Sequence, residues 1–463
     1  MPTAQSYLPD PRLPGLGEAF YDAVEPARFP KCEPRFLNRR LAQNVGLELD
    51  DESWARHFCR FEPLPDNLPQ PLALRYHGHQ FRVYNPDIGD GRGFTFAQLR
   101  DNRGRLLDLG TKGSGQTPYS RTADGRLTLK GGMREVLATE MLEALGVNTS
   151  KTFALFETGE ELVRGDEPSP TRSAVLTRLS HGHIRIGTFQ RLAFYGEIEN
   201  INALVRYCLE HLYGEPPVDD PKENAVRLFD LVSGATARLA ASYLAAGFVH
   251  GVLNSDNINV TGESFDYGPW RFTPEWDADF TAAYFDHYGL YSFGRQPEAI
   301  QWNLAQFAGC ISLVTDAPSL SDGLARWSAK FENELVGALL QRLGVTTRER
   351  EEDRELAAAL LRALQSREAQ IDRVFFDWRG GREPGEEPYP SSHFRELASR
   401  LKDRQRIPTH PYWSEAVPCS MHIDEVEAIW AAIADEDDWS PFEEKVSAIR
   451  RMGEAMIHDG AAA

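Results

Sequence analysis

Hydrophobic and polar positions follow two different periods along the chain, first that of strands and then that of helices. Between residues 72 and 179, short β-prone runs predominate, and Phe94–Leu99 and Arg105–Leu109 are separated by the polar turn Asp101–Gly104. One helix interrupts this region, because apolar residues recur at three- and four-residue intervals from Val136 to Leu145. The pattern therefore predicts a sheet accompanied by one helix.

Beyond residue 190 the apolar positions take a helical period. One face is formed by Leu228, Leu231, Val232, Ala235 and Leu239, and Gly247 is suited to end that helix. Residues 321–375 and 424–457 are also predicted to form amphipathic helices. We therefore predict an α+β fold with four parts: an N-terminal extension (1–70), a β-rich region (71–180), a helical region (181–320) and a helical C-terminal extension (321–463).

The composition is that of a globular protein with an acidic balance. The 463 residues include 50 Lys and Arg against 69 Asp and Glu, which gives a formal net charge of −19. This charge argues against nucleic acids and membranes as partners, because both attract a positively charged surface. Residues 75–191 are the exception, with 17 Lys and Arg against 13 Asp and Glu. This local basic character predicts one small, highly charged ligand.

The chain ends and the cysteines indicate a cytoplasmic protein. We find no signal peptide and no apolar run approaching the ~18 residues that span a bilayer. The five cysteines are widely spaced and contain no CxxC pair: Cys32, Cys59, Cys208, Cys310 and Cys419. We therefore expect reduced thiols, with neither a disulfide framework nor a structural zinc site. The oligomeric state is not predicted.

A glycine-rich segment just before the predicted strand Phe94–Leu99 could approach a phosphate closely. Gly89, Gly91 and Gly93 alternate with Asp90 and Arg92, so backbone N–H groups and a guanidinium are available together. The alternative interpretation is a structural turn between two strands. Considered without the other motifs, the segment favours this interpretation.

Lys112 ends a predicted strand and is followed by a Gly/Ser-rich stretch. The segment is not a P-loop, in which the lysine begins a helix and precedes Ser or Thr. Glu135 follows twenty-three residues later near the start of the predicted helix. Protein kinases pair a strand lysine with a helix glutamate in this order. Glu140, on the same predicted helix, is a competing partner for Lys112. The alternative interpretation is that Lys112 and Glu135 are unpaired and solvated.

The most specific motif runs from His250 to Asn257 and continues at Asp266-Tyr267-Gly268. Protein kinases place an Asn seven residues after the catalytic-loop His and a metal-binding Asp shortly afterwards, and this spacing recurs here. The side-chain oxygens of Asn257 and Asp266 suit Mg²⁺. Because Val252 takes the usual place of the catalytic aspartate, Asp256 is the nearest carboxylate that could act as a base. A polar turn is the alternative, which the shared order of three motifs disfavours.

Two arginines, Arg178 and Arg185, flank the end of the last predicted strand. Their planar guanidinium groups are suited to phosphate oxygens. His181 and His183 lie between them, but no third metal ligand accompanies them in the sequence. We therefore expect packing or hydrogen-bonding roles for both histidines. Protein kinases normally lack such an arginine pair, which points to a nucleotide bound in an unusual orientation.

Together these motifs resemble the selenoprotein O (SelO) family of protein-kinase-like AMP transferases. The resemblance is carried by Gly78–Phe81, Gly89–Gly93, Lys112–Arg121, Asp124–Arg126, Ser180–Gly187, His250–Asn257, Asp266–Pro269 and Tyr291–Phe293. It implies a bilobal protein-kinase-like fold, in which residues 71–180 form the N-lobe and residues 181–320 the C-lobe. The N-terminal extension would wrap around these lobes.

The resemblance also implies a function, the transfer of AMP from ATP to Ser, Thr or Tyr hydroxyls of proteins. It implies an inverted ATP, a Mg²⁺ or Mn²⁺ ion held by Asn257 and Asp266, and Asp256 as the catalytic base. By position in the motifs, the nucleotide-binding residues would be Gly89, Gly91, Arg92, Lys112, Asp124, Gly125, Arg178, Arg185 and Asp266, with Glu135 orienting Lys112.

Three alternatives stay open. A conventional protein kinase would transfer the γ-phosphate, and a catalytically silent pseudokinase scaffold would bind nucleotide without transferring anything. The absence of aspartate at Val252 favours the scaffold, whereas the retained Lys112, Asn257 and Asp266 argue against it. Transfer of UMP in place of AMP is the third alternative. The C-terminal cysteine or selenocysteine of many family members is absent, so redox control through it is not expected.

Overall fold

A computed structural model describes residues 6–165, 167–384 and 389–460. The strands are β1 (Tyr21–Ala23), β2 (Glu33–Leu37), β3 (Leu72–Leu74), β4 (Gly78–Gln80), β5 (Val83–Asn85), β6 (Thr95–Arg100), β7 (Leu106–Lys112), β8 (Leu127–Thr128), β9 (Lys151–Leu162), β10 (Thr171–Ser180), β11 (Phe248–Val249) and β12 (Arg271–Phe272). The helices are α1 (Arg39–Asn44), α2 (Asp51–Phe58), α3 (Leu129–Ala144), α4 (Ile186–Phe194), α5 (Ile198–Tyr207), α6 (Pro221–Ala246), α7 (Gln296–Ile311), α8 (Ala317–Leu343), α9 (Arg350–Gln365), α10 (Ile371–Asp377), α11 (Ser392–Leu401), α12 (Ile423–Glu436) and α13 (Ser440–Gly460).

The main sheet is antiparallel and contains eight strands. Its order is β1-β3-β6-β7-β10-β9-β2, and β8 pairs with β10 beside this path. Two separate two-stranded sheets are formed by β4 with β5 and by β11 with β12. The strands β1 and β2, at the two ends of this order, come from the first 40 residues, so the N-terminal segment runs along the sheet and closes it at both sides.

Both faces of the sheet are covered by apolar side chains. Leu106 on β7 packs into one hydrophobic cluster together with Val136 of α3. Its neighbour Leu107 points to the opposite face and packs into a second cluster with Trp54 and Phe58 of α2. Because successive side chains of a strand point to opposite faces, a strand covered on both sides is buried at every position. This explains why β7 is buried along its whole length.

The helices begin and end at residues with recognisable capping chemistry. The Thr128 side chain accepts a hydrogen bond from the backbone N–H of Gly131 and so caps the start of α3. The long helix α6 starts with Pro221 after the capping residue Asp220. It ends at Gly247, whose φ of 69° lies in the left-handed region. The predicted helix ending at Gly247 is therefore confirmed.

The expectation that every cysteine is reduced is wrong for two of them. Cys32 and Cys59 form a disulfide, with their Cα atoms 6.0 Å apart. The disulfide forms because the end of α2 lies next to the start of β2. The spacing of the cysteines in the sequence does not predict this contact. Cys208, Cys310 and Cys419 are free thiols. Within the described ranges, no helix is long and apolar enough to cross a membrane.

Candidate active site

Lys112 and Glu135 form a buried ion pair at the centre of the molecule. Lys112 is the last residue of β7, and its Nζ lies 2.6 Å from Oε2 of Glu135 on α3. Their side chains are only 6% and 1% exposed, so the alternative of two solvated surface groups is wrong. The competing Glu140 is engaged elsewhere, because Arg450 of α13 donates to both of its oxygens at 2.7 and 2.9 Å.

Asp266 joins this pair from the other side of the site. Its Oδ1 lies 2.8 Å from Nζ of Lys112 and 3.7 Å from Nη1 of Arg178. Burial alone would raise the pKa of the Asp266 carboxyl, but the combined charges of Lys112, Arg178 and Arg92 lower it well below its usual value. Asp266 is thus held as a carboxylate, the form that can bind a cation.

The backbone of Asp266 has a φ of 65°, in the left-handed region that few residues other than glycine adopt. Such a conformation costs energy and persists only where the surroundings enforce it. The side chain of this residue contacts Lys112 and Arg178, so the strained backbone lies at a carboxylate that both cations face.

Asp256 lies in a single 3-10 turn, Ser255–Asn257, and its side chain is almost fully buried. Burial raises the pKa of Asp256 to about 6, although the Arg185 cation opposes the shift. Its Oδ1 accepts no hydrogen bond from any described residue. A carboxylate with a free oxygen and a pKa near neutrality is suited to accept a proton.

Arg185 connects Asp256 to the glycine-rich segment. Its Nη1 donates to the backbone carbonyl of Asp256 and its Nη2 to Oδ1 of Asp90, both at 3.3 Å. The guanidinium also lies 4.2 Å above the ring of Tyr76. These contacts fix the buried cation beside Asp256, while its Nε remains without a partner among the described residues.

Asn257 is oriented by one hydrogen bond. Its Nδ2 donates to the backbone carbonyl of Val252 at 3.0 Å, which leaves the side-chain oxygen to face away from that carbonyl. Across the described ranges, no group of three or more His, Cys, Asp or Glu is arranged to hold a metal. Mg²⁺ commonly takes one or two protein oxygens and completes its shell with water and phosphate oxygens. The oxygens of Asn257 and Asp266 fit that type of site.

The glycine-rich segment packs against the chain that follows β7. The backbone N–H of Gly113 donates to the carbonyl of Arg92 at 2.7 Å. A Cβ on Gly89 would lie 2.4 Å from the ring of Tyr119, and one on Gly91 would lie 3.0 Å from the Tyr119 carbonyl oxygen. A side chain at Gly89 would therefore displace Tyr119, one at Gly91 would be tightly packed, and the structure places this segment beside Lys112.

Gly125 and Asp124 occupy a second loop, and only the glycine contacts the segment after Lys112. The carbonyl of Gly125 accepts a hydrogen bond from Gly115 at 3.2 Å, and its φ of 70° requires a residue that tolerates the left-handed region. Asp124 turns its carboxylate to Arg164, which binds both oxygens at 2.8 and 3.0 Å. Asp124 is thus engaged by Arg164 in this conformation.

The hairpin β4–β5 is not predicted from the sequence, although it contacts the Asp256 turn directly. The backbone N–H of His79 donates to Oγ of Ser255 at 2.7 Å, and that of Phe81 donates to Oδ1 of Asn254 at 3.0 Å. A Cβ on Gly78 would lie 2.7 Å from Oδ1 of Asp256. In the sequence, only the family resemblance distinguishes the Gly78–Phe81 segment.

Comparison with known proteins shows the family of this chain. A family model described as protein adenylyltransferase SelO matches residues 5–403. The chain belongs to the SelO family. It is 41% identical over 464 residues to a protein nucleotidyltransferase YdiU of Gloeobacter violaceus, covering 96% of this chain and 95% of that protein.

Two further relatives carry the same name. The protein nucleotidyltransferase YdiU of Synechocystis sp. is 38% identical and covers 95% of this chain and 97% of its own length. That of Vibrio cholerae is 34% identical, with 78% of this chain and 73% of the relative covered. The resemblance inferred from the motifs is therefore confirmed at the level of the family, which implies a kinase-like fold for this mixed α/β chain.

Proposed function

We propose that this member of the SelO family is a protein adenylyltransferase that moves AMP from ATP to Ser, Thr or Tyr hydroxyls of other proteins. The observation that carries the proposal is an ionic cluster in which the buried Lys112, Arg178 and Glu135 meet Asp266, whose side chain is 30% exposed. Lys112 and Arg178 bring two cations to Asp266, at 2.8 and 3.7 Å. Burying two cations beside the two carboxylates Glu135 and Asp266 has a desolvation cost, which supports a role in holding an anionic ligand.

The proposed fold is bilobal, with the nucleotide between a sheet-containing lobe and a helical lobe. Lys112, Glu135 and Arg178 belong to β7, α3 and β10, which lie in or beside the main sheet. Asp256 and Asp266 come from the segment after α6, in the helical part of the chain. Contributions from both parts to one ionic cluster support this arrangement.

The proposed orientation of ATP places its terminal phosphates inward. Lys112 and Arg178 lie beside Glu135 and Asp266, and Arg185 lies between Asp90 and Asp256. In the proposed orientation, Lys112 and Arg178 would hold the β- and γ-phosphates. The α-phosphate would then face Asp256, which is the requirement for AMP transfer.

In the proposed reaction Asp256 accepts the proton of the acceptor hydroxyl. The hydroxyl oxygen then bonds to the α-phosphorus as the bond between that phosphorus and the bridging oxygen breaks. Pyrophosphate departs with both electrons of the broken bond, and Arg178 and Lys112 stabilise the charge that develops on it. Bound Mg²⁺ or Mn²⁺, held by Asn257 and Asp266, would supply charge neutralisation at the phosphates.

The experiment that tests the proposal uses ATP labelled separately at the α- and γ-phosphates, with a mixture of cellular proteins as acceptors. We expect protein labelling from the α position only, and its loss in Asp256→Asn by at least about 100-fold. Asp435→Asn, at an exposed aspartate on α12, is the matched control and should label like the wild type. The same assay with α-labelled UTP measures UMP transfer.

Labelling from the γ position alone would replace the proposal by conventional kinase chemistry. Nucleotide binding without labelling from either position would support the silent scaffold. Full activity of Asp256→Asn would remove Asp256 as the base while leaving the reaction class in place.

A further inference from the structure

Behind Arg178 lies a row of buried polar side chains that the proposed reaction does not use. Nε of Arg178 donates to Nε2 of His183 at 3.2 Å, and the other ring nitrogen of His183 lies 3.2 Å from Oδ2 of Asp108. Oδ1 of Asp108 accepts from Nε2 of Gln98 at 2.7 Å. All four side chains are buried, and the three partners come from β6, β7 and the segment after β10.

The direction of every hydrogen bond in this row is determined by its ends. A guanidinium can only donate, and a carboxylate can only accept. His183 must therefore carry its proton on Nδ1, facing Asp108, and leave a lone pair on Nε2 for Arg178. Gln98 is oriented in turn, because its Oε1 accepts from the backbone N–H of Leu13 at 2.7 Å. Its amide NH₂ group is thus left to face Asp108.

The imidazole of His183 is also held by close packing. A Cβ on Gly110 of β7 would lie 2.5 Å from Cε1 of His183, so the ring occupies the space that any other residue at position 110 would need. Phe265, the neighbour of Asp266, meets the ring edge-on with centroids 6.4 Å apart. Burial lowers the pKa of His183, so the ring is neutral at physiological pH.

Arg178 gains a defined direction from this support. With Nε bound to His183, its Nη1 points toward Oε1 of Glu135 at 3.5 Å and Oδ1 of Asp266 at 3.7 Å. Nη1 makes no hydrogen bond to any described residue. Although the two carboxylates offset its charge, a buried donor that makes no hydrogen bond is costly, and a ligand oxygen that accepted one from Nη1 would remove that cost.

We propose that His183 is a positioning residue, which with Asp108 aims Nη1 of Arg178 at the terminal phosphates of the nucleotide. The inference rests on the proposed function in one respect, that the ligand is a nucleoside triphosphate with its terminal phosphates inward. His183 acts only through Arg178 and touches no reacting atom. The arrangement uses the logic of an Asp-His pair, in which the carboxylate selects the tautomer of the ring.

The first test compares the affinities for ATP and AMP of the full-length protein, measured by calorimetry or by competition. In His183→Phe the support of Arg178 is lost, and ATP should bind about 10- to 100-fold more weakly while AMP binding is unchanged. In His183→Gln the side-chain oxygen can accept from Arg178, so ATP affinity should return at least partly. His181→Phe is the matched control, because His181 lies in the same segment and no hydrogen bond joins it to Arg178.

A second variant keeps the histidine and changes only its tautomer. In Asp108→Asn, Gln98 continues to donate to the side-chain oxygen, so the new amide NH₂ group faces His183. Nδ1 of His183 must then accept, and its proton moves to Nε2, against Arg178. ATP affinity should fall as in His183→Phe, although the volume of the side chain is almost unchanged.

The tautomer itself is measured by ¹⁵N NMR of histidine-labelled protein without nucleotide, with His183→Gln used to assign the signal. We expect a protonated Nδ1 in the wild type and a protonated Nε2 in Asp108→Asn. A wild-type ring protonated on Nε2, or an equal loss of ATP and AMP affinity in the variants, overturns the positioning role. If the tautomer and the ATP-selective loss are found but no α-label is transferred, the proposed reaction fails and the positioning role stands.

Discussion

Replacing Glu263 by glutamine should stabilise the protein at neutral and alkaline pH and leave its stability at acid pH unchanged. Glu263 is buried, and its Oε2 accepts a hydrogen bond from the backbone N–H of His181 at 2.8 Å. Burial raises the pKa of Glu263 to about 7, against the opposing effects of the Lys151 cation and the His181 N–H group. Arg105 also opposes the shift, whereas Asp108 adds to it.

The sign and the size of the effect follow from proton linkage. Because the pKa is higher in the folded state, Glu263 favours folding most below pH 4.5, the ordinary value in an unfolded chain. This contribution is lost as the pH rises through about 7. The difference between the two pKa values corresponds to about 3 kcal/mol of unfolding free energy. Glutamine cannot ionise and still offers an oxygen to His181, so the variant avoids this loss.

The assay is the urea midpoint of unfolding, followed by tryptophan fluorescence at pH 4, 5, 6, 7 and 8 for both proteins. The variant should match the wild type at the lowest pH and exceed it progressively, by up to about 3 kcal/mol at pH 8. Glu161→Gln, at an exposed glutamate on β9, is the matched control and should track the wild type. A constant difference between Glu263→Gln and wild type across the range would refute the reasoning.

Two further predictions concern the proposed metal ligand Asp266 and the disulfide. Asp266→Asn should reduce transfer of the α-label by at least about 100-fold, because a neutral amide binds a cation more weakly and no longer balances Lys112; activity near that of the wild type would remove Asp266 as a metal ligand. Joint replacement of Cys32 and Cys59 by serine should lower the unfolding free energy by about 3.5 kcal/mol, the chain-entropy value for a loop of 27 residues, without changing transfer. An unchanged urea midpoint would show that the disulfide does not stabilise the fold.

The ion pair of Lys112 and Glu135 could be predicted because local sequence determines both of its elements. Three of the first four residues of β7 are leucines and the apolar residues of α3 recur at helical intervals, so each residue could be placed on its element from the sequence. The order of a strand lysine and a helix glutamate then matched a known pairing. The 2.6 Å contact confirms that pairing and excludes Glu140.

The hairpin β4–β5 could not be predicted in the same way. It has only three residues in each strand, and Phe81 and Arg82 turn the chain with positive φ values although neither is glycine. Turn signals in a sequence rest mainly on Gly, Pro, Asn and Asp. Contacts with the Asp256 turn, rather than local preference, stabilise this conformation.

The sequence by itself determined the local elements and the spacing of the motifs, including the seven residues from His250 to Asn257. These features depend on residues that are close together in the sequence, so they can be recognised from the sequence directly. Only the tertiary structure decided that Cys32 bonds to Cys59 and that Asp108 supports His183, a pair 75 residues apart. Such contacts depend on which distant segments the tertiary fold brings together. The apolar packing that brings these segments together leaves no local sequence pattern at either residue.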